Sequence, residues 1–342
     1  MRRTLPLLTS LVLLAGCGWS SVQAAAPPSS PAVAPASAVG AADGQVRLWQ
    51  DAAIFAPVRR LLDGAGAGQP VWVEMYEFGR ADLAAALQRA RQRGADVRLI
   101  VDRTVPASAR MADRLAGAGL AVRAYPVDDS RNQIDHVKLL LTAGAALVGG
   151  MNWGVNSARN HDYAFETETP SLLQRLSDIF VQDWSISGGR PAPLRPAVGP
   201  IAQTTPAEEV RDRLNGALAG ARRSVAAEVF VLTDPDVIAA LAAARRRGAR
   251  VRVLLDPGQD VNRPSLDLLR AAGVEARWYP VPPGAKLHAK AGLFDGRELL
   301  LGSANWSRSG LSVNHELDLL SDDTQAAATF ASRFERDWST SG

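Results

Sequence analysis

Two short motifs place a lysine two residues after a histidine. They are HVK at 136–138 and HAK at 288–290, in a 342-residue chain with only three lysines and four histidines. Imidazole, with an unperturbed pKa of ~6.5, can act as a nucleophile or a proton donor near neutral pH. On a strand, residues i and i+2 project to the same face, so each pair can point into one site. This combination suits attack on a phosphodiester, which needs a nucleophile, a proton donor and positive groups on the non-bridging oxygens.

Further polar residues follow each motif at similar distances. A Gly-containing turn ends in Asn152 in the first copy and in Asn305 in the second, where Ser303 also occurs. Both copies then reach an Asn-His-acid triplet, at 160–162 and 314–316. Asparagine amides can join the lysines in holding phosphoryl oxygens in place of a metal. No cluster of metal ligands is evident, which agrees with a metal-independent mechanism and with no cofactor.

The motifs lie in an internal duplication. Residues 71–102 align with 225–256 at an offset of 154, and DWSISG at 183–188 aligns with DWSTSG at 337–342. Each copy reads as an apolar strand, an amphipathic helix ended by Gly and a second buried strand, which indicates parallel strands covered by helices. Two copies related by a pseudo-two-fold would bring both HxK motifs to one interface.

The duplication also predicts the domain organisation. We expect two α/β domains, each a mixed sheet flanked by helices, at 45–188 and 201–342. The segment between them, 189–200, is rich in Pro and Gly and reads as a linker. Residues 1–16 read as a signal peptide, and the Pro/Ala/Ser tract at 17–44 reads as a disordered tether that cannot bury a core.

The repeated pattern of HxK, Gly/Asn turn and Asn-His-acid triplet resembles the phospholipase D superfamily, whose members carry two such motifs. The resemblance covers nearly the whole mature chain. It implies that His136 attacks phosphorus and forms a phosphohistidine. It also implies that His288 protonates the leaving alcohol and then activates water or an acceptor alcohol. The choice of the first copy as nucleophile follows the usual family pattern, and nothing in this sequence decides it.

The same resemblance implies roles for the remaining motif residues. Asp162 and Glu316 would hydrogen-bond the other ring nitrogen of their catalytic histidine and so fix its tautomer and orientation. Ser303 would assist in phosphate binding. The other residues expected to bind the phosphate are Lys138, Lys290, Asn152 and Asn305.

The first copy departs from the pattern at two positions. Ala143 stands where the second copy has Asp295, and Gly150 stands where it has Ser303. The motif aspartate lies near a tight turn, so we expect it to support structure, and Gly144 can allow a comparable turn in the first copy. We therefore expect the first copy to be competent; the alternative is a degenerate, non-catalytic copy.

The N-terminal sequence predicts export and a lipid anchor. Two arginines precede an apolar run from Leu5 to Leu14, which is shorter than the ~20 residues of a membrane span and fits a secretory signal. LAGC at 14–17 resembles the lipobox of bacterial lipoproteins, in which the cysteine carries a lipid. Cys17 is the only cysteine, so an intrachain disulfide and a multi-Cys zinc site are excluded. An ordinary secretory signal is the alternative.

Composition limits the function classes. With 47% hydrophobic and 21% charged residues, the chain cannot be mostly disordered. The net charge of +3 falls to +1 without Arg2 and Arg3, so bulk charge does not predict nucleic-acid binding. We expect a phospholipase D or a cardiolipin synthase-like transferase that acts on phospholipids at a membrane surface. The alternatives are an exported nuclease of the same superfamily and a non-catalytic phosphate-binding envelope protein. A monomer is expected, because both motifs are in one chain.

Several other residues have expected roles away from the chemistry. His161 and His315 would face away from the neighbouring acid, which favours a surface or packing role. Glu74 and Glu228 lie in equivalent apolar strands, where a structural ion pair is the favoured interpretation. Trp residues 153 and 306 could line the substrate groove or pack in the core.

Overall fold

The computed structural model describes residues 46–190, 199–205 and 207–342. The predicted signal peptide, Cys17 and the tether up to residue 44 lie outside these residues. In the first repeat the helices and strands are β1 (Val46–Gln50), α1 (Phe55–Gly64), β2 (Pro70–Met75), α2 (Ala81–Gln92), β3 (Asp96–Val101), α3 (Pro106–Gly117), β4 (Ala121–Ala124), β5 (Lys138–Thr142), β6 (Ala146–Gly149), β7 (Tyr163–Thr167) and α4 (Pro170–Ser187).

The second repeat has the same sequence of elements with one additional short helix, α8. Its helices and strands are β8 (Ile201–Gln203), α5 (Glu209–Gly220), β9 (Ser224–Val229), α6 (Pro235–Arg246), β10 (Arg250–Leu255), α7 (Arg263–Ala271), β11 (Glu275–Trp278), β12 (Lys290–Phe294), β13 (Glu298–Gly302), α8 (Arg308–Ser312), β14 (Leu317–Ser321) and α9 (Thr324–Thr340).

Both sheets have seven strands in the same order. The order is β1-β7-β6-β5-β2-β3-β4 in the first sheet and β8-β14-β13-β12-β9-β10-β11 in the second. The strands that the repeat predicted to be parallel are parallel, with Val71 opposite Val97 and Val225 opposite Val251. The strand that follows each HxK motif joins them in antiparallel orientation. The prediction of two mixed α/β sheets is confirmed.

Local sequence explains where the crossover helices begin and end. In α6, the side chain of Asp234 accepts hydrogen bonds from the amides of Asp236 and Val237, and Pro235 occupies the first turn. Arginines fill the last turn, where they complement the helix dipole, and Gly248 follows with φ 98°, a conformation that suits glycine. Because these signals fix where the helix begins and ends, they also fix where the parallel strands before and after it lie in the sequence.

The two repeats share a central apolar core. It contains Phe165 and Phe180 from the first repeat together with Leu319 and Phe330 from the second, and each repeat has its own outer core as well. Helix α9 of the second repeat contacts β1 of the first. All described residues belong to one compact unit. None of the described helices is both long and apolar enough to cross a bilayer.

Candidate active site

The segments that carry the two HxK motifs run beside the Asn-His-acid segments of the opposite repeat. The amide of His136 donates to the carbonyl of His315 at 2.8 Å, and the amide of His288 donates to the carbonyl of His161 at 2.8 Å. These equivalent contacts, made in both directions, place both motifs at the interface between the repeats. The expectation that each motif lies on a strand is wrong for the histidines. Strands β5 and β12 begin only at the lysines, because each histidine amide pairs with the other repeat.

Each motif histidine hydrogen-bonds a carboxylate of the other repeat. Nδ1 of His136 lies 2.9 Å from Oε2 of Glu316, and Nδ1 of His288 lies 2.7 Å from Oδ2 of Asp162. All four side chains are buried. A carboxylate at Nδ1 fixes the tautomer in which Nδ1 carries the proton, so Nε2 is the nitrogen available for chemistry. The structure thus brings together the four predicted residues, with the pairs exchanged between the repeats.

Ser303 lies at the expected turn, next to a carboxylate of the site. Its side chain is fully buried and donates to Oε2 of Glu316 at 2.6 Å. In this structure the hydroxyl holds the carboxylate, and its expected assistance in phosphate binding stays a prediction. In the first repeat a Cβ at Gly150 would collide with the carboxylate of Asp162. The first repeat therefore combines the shorter Asp162 with Gly150, whereas the second combines the longer Glu316 with Ser303.

The two lysines lie beside the histidines, and all four groups are buried. Nζ of Lys138 donates to the carbonyl of His136. Nζ of Lys290 donates to the carbonyl of His288 and lies 3.0 Å from its Nδ1 and 3.3 Å from its Nε2, over the ring. Aromatic rings cover the other sides: Tyr76 meets His136 edge-on at 4.7 Å between centroids. The site therefore concentrates positive charge next to both imidazoles.

Burial and these cations lower the pKa values of the imidazoles and ammonium groups. Burial first, with the Lys138 and Lys290 charges, lowers the pKa of His136 to about 4 although Glu316 opposes the shift. Burial and Lys290 lower that of His288 to about 3. Burial also lowers the pKa of Lys138 to about 7 and of Lys290 to about 8. Near pH 6 both imidazoles are therefore neutral, and the lysines carry the protons.

The two motif asparagines contribute amides at the interface. Nδ2 of Asn152 lies 3.4 Å from Oε2 of Glu77. The side-chain oxygens of Asn152 and Asn305 are buried and have no hydrogen-bond partner among the described residues. These oxygens are acceptors, so a phosphate group would be bound through the Nδ2 donors of the same amides. Their predicted role in phosphate binding stays a prediction.

The motif aspartate lies far from the histidine that precedes it. Asp295 follows the last residue of β12, whereas the motif lysine, Lys290, is the first. Five residues of strand separate the two, or about 16 Å. Its carboxylate accepts the amides of Arg222, Arg223 and Ser224 at 2.7–3.0 Å. Its backbone is left-handed, with φ 54°, in an Asp-Gly hairpin turn. This placement fits the expected structural role.

Removing this carboxylate should affect stability and not catalysis. We expect Asp295→Ala to lower the free energy of unfolding by about 1–3 kcal/mol, because three backbone amides lose their acceptor. Turnover at a temperature where the variant is folded should stay within about twofold of wild type. Chemical denaturation and steady-state kinetics on the same preparation check both parts. A loss of turnover without a loss of stability would contradict the structural role.

The structure adds supporting residues that sequence reasoning did not assign to the site. Asp102 and Asp256 end the equivalent strands β3 and β10. Oδ2 of each accepts the amide of the residue just before the motif histidine, at 2.7 Å from Asp135 and 2.6 Å from Leu287. The sequence did indicate these residues, because Asp102 and Asp256 are the last residues of the two aligned segments. A buried carboxylate that fixes the backbone before each histidine explains the repetition.

The other histidines and buried glutamates form two clusters between the repeats. His161 lies 2.8 Å from Glu228, and His315 lies 3.6 Å from Glu74. The predicted ion pair of Glu228 is thus made with a histidine of the opposite repeat, whereas Glu74 lies near such a histidine without a hydrogen bond. Of the two roles expected for these histidines, the surface role is wrong. Both Trp153 and Trp306 are buried in the outer cores.

The sequence shows no evident cluster of metal ligands, but the structure brings candidate ligands together in these clusters. Among the described residues, two sets hold ligand atoms within 4.8 Å of one another: Glu74, Asp135 and His315, and His161, Glu228 and Asp337. Spacing along the chain could not reveal them, because each set combines both repeats. Neither set contains a motif histidine.

Comparison with known proteins decides the family. The sequence profile described as "Cardiolipin synthase, PLD-like domain" matches residues 58–184 and again residues 214–338. The chain belongs to this phospholipase D-like family. The two phospholipase D-like domains so matched correspond to the two repeats and to the two sheets.

Known relatives share parts of this phospholipase D-like chain. A mitochondrial cardiolipin hydrolase of Homo sapiens is 34% identical over 132 residues, which cover 38% of this chain and 52% of the relative. Cardiolipin synthase A of Salmonella arizonae is 31% identical over 118 residues, 31% of this chain and 24% of the relative. The chain thus spans about half the length of the first relative and less of the second.

A solved structure has the same fold over most of both chains. The phosphatidylserine synthase of Haemophilus influenzae Rd KW20 superposes with a TM-score of 0.68 and 12% identity, covering 86% of each chain. At this identity the likeness concerns the fold alone. It agrees with the arrangement of two phospholipase D-like domains in one chain.

Proposed function

We propose that the chain is a phosphodiesterase or phosphatidyltransferase that acts on phospholipids through a phosphohistidine intermediate. The observation that carries the proposal is the pair of buried imidazoles at one interface, each with Nδ1 on a carboxylate. Membership of the phospholipase D-like family supports the reaction class. The names of the cardiolipin hydrolase and cardiolipin synthase relatives support a phospholipid substrate.

The proposed reaction has two displacements at phosphorus. Nε2 of His136 attacks phosphorus, the bond to the leaving alcohol breaks, and His288 donates its Nε2 proton to the leaving oxygen. His288 then takes a proton from water or an acceptor alcohol, whose oxygen attacks phosphorus and breaks the P–N bond. Water gives hydrolysis and an alcohol gives phosphatidyl transfer. Because His288 is neutral in the free enzyme, it takes up its Nε2 proton from solvent as the substrate binds, when the negative phosphodiester raises the pKa of the ring.

Electrostatic stabilisation comes from the lysines and asparagines in this proposal. The ammonium groups of Lys138 and Lys290 lie next to the histidines, where they can bind the non-bridging oxygens. The amides of Asn152 and Asn305 would complete the phosphate site. These groups supply the charge that the reaction needs, so the proposed chemistry is independent of a metal.

The proposal can be tested on vesicles. The full chain in detergent is mixed with phosphatidylglycerol and phosphatidylethanolamine vesicles in the presence of EDTA, and lipid products are followed by mass spectrometry. A His136→Ala/His288→Ala double variant is the matched control. Phosphatidic acid from the wild type alone would indicate hydrolysis, and cardiolipin from the wild type alone would indicate transfer. No lipid product, together with cleavage of single-stranded DNA, would replace this proposal by the nuclease alternative.

The pH dependence of kcat/KM should reflect the lowered lysine pKa values. As pH rises through about 7 to 8, Lys138 and Lys290 lose their protons and the phosphate loses its positive partners. Because His288 must also take up a proton, we expect kcat/KM to decrease gradually above about pH 4 and more steeply above about pH 8, and to fall at acid pH as His136 becomes protonated. The alkaline limb of kcat should lie at higher pH, because bound phosphate keeps the lysines charged. A kcat/KM that stays constant up to pH 9 would contradict this.

The location of the protein is part of the proposal. A lipid on Cys17 would hold the exported chain at the cell envelope, where phospholipids are concentrated. Cys17→Ser should release the protein into the soluble fraction, and mass spectrometry of the N-terminal peptide should detect the lipid on the wild type. An unmodified Cys17 in the membrane fraction would contradict the anchor.

A further inference from the structure

A closed cluster of three acids and one histidine lies between the domains beside the active site. Its members are Glu74 on β2, Asp135 just before β5, Asp183 on α4 and His315 from the second domain, each at most 1% exposed. Nε2 of His315 lies 3.1 Å from Oδ2 of Asp183 and 3.6 Å from Oε1 of Glu74. The ligand atoms of Glu74, Asp135 and His315 all lie within 4.8 Å of one another.

The polar atoms of this cluster make few hydrogen bonds, and their closest contact joins Nε2 of His315 to Oδ2 of Asp183 at 3.1 Å. Both carboxylate oxygens of Glu74 and of Asp183, Oδ2 of Asp135 and Nε2 of His315 are buried without a hydrogen bond among the described residues. No arginine or lysine in the described part of the chain forms an ion pair with any of the three acids. Three carboxylates with one imidazole in a buried interface leave negative charge that needs a counter-charge.

The ring of His315 has an orientation that suits a ligand. Nδ1 lies 3.1 Å from the hydroxyl of Thr205, and the ring of Tyr125 stacks on the imidazole at 4.3 Å between centroids. When Nδ1 carries the proton and donates it to Thr205, the lone pair of Nε2 points toward the carboxylates. A partner on the far nitrogen that fixes this tautomer is typical of histidines that bind metals.

The equivalent cluster in the other domain serves as an internal comparison. There His161 lies 2.8 Å from Glu228, and Arg333 binds Asp51 at 2.8 Å and Asp337 at 2.7 Å. At an offset of 154, Ile179 occupies the position equivalent to Arg333. The hydroxyl of Tyr163 also donates to Glu228 at 2.7 Å, and the residue equivalent to Tyr163 is Leu317.

The first cluster therefore lacks two donors but holds the same number of carboxylates as the second, since Asp135 joins it and Thr205 stands where the second cluster has Asp51. Asp135 stands where the second domain has Leu287, one residue before the motif histidine. In the second cluster, three carboxylates with protonated His161 and Arg333 carry a net charge of −1. A divalent cation with three carboxylates and a neutral His315 would reach the same value. The cation would thus replace the missing arginine.

We infer that Glu74, Asp135, Asp183 and His315 bind one divalent metal ion between the two domains. Three carboxylate oxygens and one imidazole nitrogen suit Zn²⁺ or Mn²⁺, and four protein ligands in a closed site indicate a structural ion. Asp135 precedes His136 and His315 precedes Glu316, so the ion would fix both members of one catalytic pair. This inference does not rest on the proposed function.

The competing explanation is that protons replace the ion. Without a cation, burial and the neighbouring carboxylates raise the pKa of Glu74 well above its ordinary value, and burial raises that of Asp135 to about 7. The acids would then share protons, and His315 would stay protonated, because Asp183 and Asp135 outweigh the effect of its burial. The two explanations differ in metal content, which can be measured directly.

The test measures metal on the full chain. Protein purified without chelator is analysed by inductively coupled plasma mass spectrometry. It is then unfolded with EDTA, refolded and titrated with Zn²⁺ or Mn²⁺. We expect about one ion per wild-type chain and a rise in the melting temperature on the order of 5 °C when the stripped protein is reloaded. Glu74→Gln and Asp183→Asn should each weaken binding by at least tenfold.

Matched controls come from the equivalent cluster. Glu228→Gln and Asp337→Asn change the same residue types at the same interface but should leave about one ion per chain. Co²⁺ loaded into wild type should give d–d absorption bands, which tests the site even if a variant fails to fold. Less than about 0.1 ion per wild-type chain after incubation with both metals would overturn the inference. Unchanged affinity in Glu74→Gln would also overturn it. Since neither readout is catalytic, failure of the proposed function would not affect the result.

Discussion

Alanine at either His136 or His288 should lower turnover of a natural phosphodiester by about 10⁴-fold or more. His136→Ala removes the nitrogen that would attack phosphorus, and His288→Ala removes the proton for a poor alkoxide leaving group. Both rings are buried, with 5% and 7% exposure, so water cannot readily take their place. Steady-state kinetics on the identified substrate measures the loss. A single variant with nearly full turnover would contradict the two-histidine mechanism.

The two variants should differ with an activated substrate. A 4-nitrophenyl phosphodiester expels a stable phenolate that needs little protonation, so His288→Ala should recover about 10²-fold or more of its lost rate. His136→Ala should stay inactive, because its nucleophile is missing. The reverse pattern would exchange the two roles, which the near-symmetric geometry allows. Asp295→Ala is the control, since it changes a motif residue remote from both rings.

Removing the negative charge of either partner carboxylate should have the second largest effect. We expect Glu316→Gln and Asp162→Asn to lower kcat by about 10²–10⁴-fold. The side-chain amide that replaces each carboxylate no longer fixes the histidine tautomer in which Nδ1 carries the proton. Chemical denaturation checks that both variants are folded. The exchanged pairing makes the prediction specific: Glu316 acts through His136 and Asp162 acts through His288.

The activated substrate tests that exchange directly. Asp162→Asn should be largely rescued by the 4-nitrophenyl leaving group, because its defect lies in proton donation by His288. Glu316→Gln should not be rescued, because its defect lies in the nucleophile. Pairing within each domain would give the opposite pattern. Ser303→Ala, which removes one hydrogen bond to Glu316, is the matched control and should cost only about three- to tenfold.

The sequence alone determined the repeat, the order of strands and helices within it, and the identity of the reactive side chains. These features are local. The offset of 154 relates β2 to β9, apolar runs ended by Gly specify strand and helix, and a two-residue step places His136 near Lys138. The structural role expected for Asp295 also followed from local turn chemistry. Apart from the comparison of the two repeats, all of these depend on neighbours a few residues apart.

Only the tertiary structure decided which groups meet across the interface. The catalytic pairs join residues 180 and 126 positions apart, and the exchange between domains follows from backbone contacts that no spacing encodes. The same packing gathers Glu74, Asp135 and Asp183 around His315. A repeated sequence specifies two similar surfaces but not how they face each other. That choice depends on the shared core formed by both sheets with α4 and α9, whose burial is a property of the assembled pair.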